Sequence, residues 1–227
     1  MSTKDKGIPS VIQKTVSLAG LVAAAPVLGA TAAMIRVTSK GPALFRQQRM
    51  GKDGRPFTLY KFRTMAESNR GPGVTAGGDK RITKIGKLLR KTKLDELPEL
   101  WNVVKGDMAL VGPRPEVLDY VELDDPLWQA ALEVRPGITH PVTINLRNEE
   151  DLLAQAKGKT EDFYREMLLP YKLKGYVDYA QSQTWQDDLK TLVKTAVVVI
   201  VPTLAKNPSL EELEEATQPS QEKSEKS

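Results

Sequence analysis

Asp95 and Glu96 open a stretch of helical periodicity, Leu94, Leu97, Leu100, Trp101 and Val104, that closes at Gly106. Pro98 is tolerated only in a first helical turn, so this helix must begin near Leu94, with both carboxylates at its N-terminus. Free N–H groups and the helix dipole favour negative charge there, whether carboxylate or phosphate. An ionised Asp in a phosphate pocket can attack phosphorus and form an acyl-phosphate. The commoner reason for Asp at such a place is a helix cap, and spacing alone favours the cap.

Cations suited to phosphate stand nearby in sequence. Lys61 and Arg63 are two apart in a strand-like run and share a face, although a solvated hairpin face is the usual meaning of such a pair. Arg114 is framed by Gly112, Pro113 and Pro115, which limit its backbone. Arg135 repeats the arrangement in "RPGITHP". An Arg on a rigid loop can be a preorganised phosphate fork, or can equally pair with a structural carboxylate. Other chemistry is closed off. With no cysteine, disulfides, thiolate catalysis and Cys-based zinc are excluded, and a single histidine, His140, is too few for a His metal cluster.

The elements that must position these residues are legible in outline. The chain has 227 residues and a net charge of +4. Glu211 to Ser227 carries six Glu and two Lys among Ser, Gln and Pro and reads as a solvated tail, leaving the body more basic. From Thr15 to Ile35 no residue is charged, a length just sufficient to span a bilayer. That run is rich in Ala and Gly, and Pro26 near its middle favours a kink. Lys14 precedes it and Arg36 and Lys40 follow, as expected of a helix that enters, bends at Pro26 and returns to the same side. A buried, kinked core helix is the alternative. A second apolar stretch, Leu192 to Ala205, is too short to span and reads as interfacial or as a cap on the body.

"ALFRQQRMGKDGRPFTLYKFRTM" reads as a hairpin turning at Asp53-Gly54. "GPGVTAGGD" is a flexible loop that matches no phosphate-binding fingerprint. Ile82, Ile85, Leu88 and Leu89, with Lys84, Lys87, Arg90 and Lys91 elsewhere, form a basic amphipathic helix. The stretch from Asp151 to Asp188 looks helical, its aromatics serving packing.

Together, "YKFRTM", "LRKTKLDELPELWNVVKGDMALVGPRPE" and "VRPGIT" resemble the monotopic phosphoglycosyl transferases, bacterial sugar transferases that start surface-glycan assembly. The resemblance implies an α+β fold, a small, mainly helical catalytic domain with a β-hairpin, preceded by a Pro-kinked re-entrant membrane helix and flanked by amphipathic interfacial helices. The segments would be 1–40 for the membrane helix, 41–190 for the catalytic domain, 191–206 for the interfacial segment and 207–227 for a disordered acidic tail.

It implies transfer of a sugar-1-phosphate from a UDP-sugar to undecaprenyl phosphate, with Mg²⁺, as the first membrane step of polysaccharide or glycoconjugate assembly. The enzyme would sit in the bacterial inner membrane, facing the cytoplasm, with no nucleic-acid partner and with a homodimer left open. By this likeness Asp95 is the nucleophile and a metal ligand, Glu96 its partner, and Lys61, Arg63, Arg90, Arg114 and Arg135 offset phosphate charge. This overturns a cap-only Asp95.

The chain also departs from the pattern. Gln13, Lys14 and Ser17 replace a Lys-Arg-x-x-Asp opening, Ala25-Pro26 replaces Ser-Pro, His140 replaces a common Gly, and "PVTINLRN" is unusual. A UDP-sugar hydrolase and a non-catalytic peripheral membrane protein are the competing readings.

Overall fold

The computed structural model describes residues 6–66, 78–155, 159–205 and 207–217. Helix α1, Ser10–Thr38, runs unbroken through Pro26. It is long and apolar enough to cross a membrane. Its polarity is reversed relative to a soluble helix. The residues it buries are Gln13, Ser17, Thr31 and Ile35, while Val11, Val22, Val27 and Val37 are exposed. Gln13 accepts from Leu110 N at 2.6 Å, and Ile35 packs with Phe62 and Leu89, so both ends of α1 rest on the same body.

Strands β1 (Leu44–Met50) and β2 (Pro56–Phe62) form the expected antiparallel hairpin. Asp53 and Gly54 both take positive φ, 56° and 69°, the backbone that a tight hairpin turn demands. The glycine-rich loop falls almost wholly outside the described residues. Helix α2 (Lys84–Thr92) is capped by Thr83, whose hydroxyl accepts from Gly86 N at 2.9 Å.

The expected helix from Leu94 is divided. A 3₁₀ turn, Leu94–Glu96, precedes helix α3, Glu99–Lys105. Pro98 has no N–H to give to Leu94, so the entry tightens into bonds such as Leu97 N to Leu94 O at 3.3 Å.

Next come β3 (Ala109–Val111), α4 (Pro126–Ala131) and β4 (Gly137–Thr139), the two strands pairing in parallel. Gly112 and Gly137 let the chains meet here, because a Cβ on either would strike the other's backbone.

Helices α5 (Pro141–Asn145), α6 (Glu149–Gln155) and α7 (Thr160–Phe163) lead into a π-helical turn, Tyr164–Leu168, continuous with α8, Leu169–Ser182. Of the aromatics in the Asp151–Asp188 stretch, Tyr164 and Tyr176 are buried in the main core with Phe163 and Tyr171 packed against it, so these serve packing, whereas Trp185 is exposed. Helix α9, Trp185–Ile200, crosses the boundary expected at residue 190 and continues into a 3₁₀ turn, Pro202–Leu204.

The acidic tail needs correction in its first part. Leu210–Thr217 is a helix, α10, with Leu213 fully buried in the main core. A capping box starts it: Ser209 N donates to Glu212 Oε2 at 2.7 Å and Glu212 N to Ser209 Oγ at 3.2 Å. Burial of Leu213 outweighs the polar composition that suggested a solvated chain. Residues 218–227 lie outside the described residues.

Candidate active site

Asp95 lies in the 3₁₀ turn, where the left-handed Lys93 (φ 59°) redirects the chain between α2 and α3. It is not a cap. The N-cap positions of the turn and of α3 are Lys93 and Pro98, and the buried Asp95 Oδ1 has no hydrogen-bond partner among the described residues. Asp95 lines a large open cleft together with Lys61, Arg90, Lys93, Glu96 and Arg114.

β2 brings Lys61 to this turn. Its Nζ is 3.3 Å from Glu96 Oε1 and 3.0 Å from Glu99 Oε1. The Gly112–Glu116 loop brings Arg114, whose Nη2 is 2.8 Å from the same Glu96 oxygen. Arg90 reaches across from α2 to Glu150, 3.2 Å away. Burial pushes the Glu96 carboxyl up, but Lys61 and Arg114 overcome this and hold it well below the usual range. Burial and then the Glu96 charge push Asp95 up, against Lys61, Lys93 and Arg90. Burial likewise raises Glu99, with Lys61 opposing. Asp95 is thus a poorly solvated carboxyl among cations.

Of the remaining expected phosphate ligands, Arg63 lines the same cleft with its guanidinium engaged at the end of α1, and Arg135 stands outside it. Arg63 is buried, and its guanidinium donates to Ser39 O (3.0 Å), Ser39 Oγ (2.9 Å), the Lys40 carbonyl and Gly41 O (3.3 Å). It fastens the end of α1 to the hairpin. The Arg63 N–H carries the hairpin pairing one residue past Phe62, donating to Ala43 O at 2.8 Å, so Arg63 follows Lys61 into the cleft lining while its guanidinium meets the end of α1. Arg135 donates to Ser10 Oγ at 2.9 Å, at the start of α1 and outside the cleft lining.

Glu99 was missed in the sequence, though its spacing from Glu96 puts both on one helical face. A second charged group, Glu116, Tyr164 and Lys172, also lines the cleft. Its members are far apart in the chain and gave no local signal.

Among the described residues no cluster of three or more His, Cys, Asp or Glu could hold a metal. A closed cage is therefore not built here. One carboxylate with an orphaned buried oxygen, facing a large cleft lined by cations, fits a hard divalent cation that keeps waters and takes its other ligands from substrate phosphates.

The family model described as bacterial sugar transferase matches residues 5–202. The chain belongs to that family. This bacterial sugar transferase is 39% identical over 176 residues to a UDP-glucose:undecaprenyl-phosphate glucose-1-phosphate transferase of Caulobacter vibrioides, covering 75% of this chain and 61% of that protein. It is 44% identical over 119 residues to a UDP-N-acetylgalactosamine-undecaprenyl-phosphate N-acetylgalactosaminephosphotransferase of Aeromonas hydrophila, covering 50% of this chain and 28% of that one. An undecaprenyl-phosphate galactose phosphotransferase of Salmonella typhimurium is 36% identical over 181 residues, with shares of 70% and 34%. The chain thus spans 28% to 61% of these relatives' lengths.

Proposed function

We propose that this chain transfers a sugar-1-phosphate from a UDP-sugar to undecaprenyl phosphate through a covalent Asp95 intermediate. The observation that carries the reading is the buried, unpartnered Asp95 Oδ1 in a cleft with Lys61, Arg90 and Arg114. The relatives' names supply the donor and acceptor classes.

An Asp95 oxygen attacks the sugar-bearing phosphorus, the bond from that phosphorus to the bridging oxygen breaks, and UMP leaves with its electron pair. An oxygen of the lipid phosphate then attacks the same phosphorus. The bond to Asp95 breaks, and the free carboxylate and an undecaprenyl diphosphate sugar result. Lys61 and Arg114 are preorganised donors toward charge on the diphosphate, and Glu96 holds both in place. Arg90 adds positive charge from α2 once phosphate replaces Glu150. Asp95 would hold Mg²⁺, which when bound supplies charge neutralisation at the phosphates.

The reversed polarity of α1 supports insertion into lipid, since its outward face is aliphatic. Anchoring of Gln13 and Ile35 to one body supports re-entry from a single side, with the bend at Pro26. Flanking Lys14, Arg36 and Lys40 support a cytoplasmic face of the inner membrane.

The test uses detergent-solubilised protein, undecaprenyl phosphate, Mg²⁺ and a panel of UDP-sugars, scored by UMP release. Asp95→Asn is expected to abolish transfer and the mass increase formed with donor alone. UMP release independent of lipid phosphate would mean a hydrolase. Membrane binding without any UMP release would mean a non-catalytic protein.

A further inference from the structure

Arg114 is carried by a loop whose main chain is fastened at several points. Gly112 N donates to Thr139 O at 3.0 Å and Gly137 N to Pro113 O at 2.8 Å. Arg49 Nη1 donates to Pro115 O at 3.2 Å, and Met50 N to Glu116 O at 2.9 Å. Beside Arg114 itself, which meets Glu96, the loop is also attached through the Glu116 side chain, which is buried. Its Oε1 is 2.8 Å from Lys172 Nζ, and its Oε2 accepts from Tyr164 Oη at 2.7 Å. Lys172 Nζ also donates to Tyr164 Oη at 2.9 Å, closing a triangle.

Two features make this triangle more than packing. A buried ion pair is a weak source of stability, because apolar residues of similar volume do as well or better. Tyr164 also opens the π-helical turn Tyr164–Leu168, a rare geometry found mostly at functional sites, and Lys172 follows two turns later on α8. With prolines on both sides of Arg114, the chain between Arg114 and Glu116 has little freedom. Where Glu116 is held, Arg114 is held too.

We propose that Tyr164 and Lys172 are positioning residues that act through Glu116 to set the placement of the Arg114 guanidinium in the reaction centre. The inference rests on the transferase reading above, in which Arg114 meets phosphate. It assigns the helical bundle a part in the chemistry, since α8 and its π-turn are tied to a residue of the cleft.

The test is a double-mutant cycle in the full chain, between Tyr164→Phe and Arg114→Gln. Tyr164→Phe keeps the ring against Tyr120, 5.0 Å away between centroids, and removes only the hydroxyl. It is expected to lower kcat/KM for the UDP-sugar about tenfold, the scale of one lost hydrogen bond to a charged group. In the Arg114→Gln background the same change should have no further effect. UDP binding by calorimetry gives the same cycle without turnover, with a loss in the parent and none on Arg114→Gln. Lys172→Met should repeat the pattern, and melting curves separate any failure to fold.

Full kcat/KM in Tyr164→Phe overturns the proposal. So does a loss that multiplies undiminished onto Arg114→Gln, because a merely structural hydroxyl would act independently of that guanidinium. If no donor yields UMP while the UDP cycle still couples, the transferase reading fails and the positioning unit stands.

Discussion

A single oxygen, Glu96 Oε1, receives both Arg114 Nη2 at 2.8 Å and Lys61 Nζ at 3.3 Å. The contact joins the hairpin to the Arg114 loop beside Asp95, and it explains why Glu96 stays ionised despite burial.

Glu96→Gln should therefore disarm the site while leaving the fold in place. Lys61 keeps Glu99 at 3.0 Å, but Arg114 loses its anion. We expect kcat/KM to fall by about 10²-fold, the scale of losing one preorganised donor. UMP release measured beside a thermal melt checks this, and wild-type turnover in the variant would contradict it.

His140 predicts a pH dependence of stability. Burial pushes its imidazole down to about 3, with Nδ1 accepting from Val142 N at 3.2 Å to cap α5. The folded-state value is lowered below that of an unfolded chain, about 6.5. Between these values the unfolded state binds the extra proton, so stability is lost as pH falls from about 6.5 towards 3, by up to ~1.4 kcal/mol per pH unit. His140→Asn retains a capping oxygen and removes the titration. Urea midpoints at pH 4.5 and 6.5 should separate less in the variant than in the parent; an equal separation would rule His140 out as the source.

Arg63 predicts an effect at the membrane element and little at the donor. Arg63→Met removes the donors that hold the Ser39 and Gly41 carbonyls. We expect faster proteolysis between α1 and β1, with UDP affinity changed less than about twofold, since the guanidinium is already engaged by the Ser39, Lys40 and Gly41 carbonyls. A tenfold loss of UDP affinity with an unchanged cleavage rate would return Arg63 to the phosphate site.

The hairpin, the basic α2 and the Asp95 region were legible because each is encoded locally. Asp53-Gly54 specifies a turn, apolar spacing specifies α2, and Pro98 limits where α3 begins. The pairing of β3 with β4 was not, because two three-residue strands brought together across 25 residues of chain leave no periodicity. The same holds for Glu116, Tyr164 and Lys172, which the π-turn and α8 bury together. Arg63 was legible as a cleft residue, but the carbonyls at the end of α1 that its guanidinium meets were not. Leu213 misled because one buried leucine and a capping box outweighed a tail's worth of glutamates.

The inside-out character of α1 has a mechanical consequence. Both of its ends are fastened to the body that holds Asp95, so the aliphatic surface cannot rise or sink without carrying the cleft along. In lipid, the height of the phosphate-handling residues above the hydrocarbon is then a fixed dimension of the protein, and a membrane-borne phosphate must come to that level to be used.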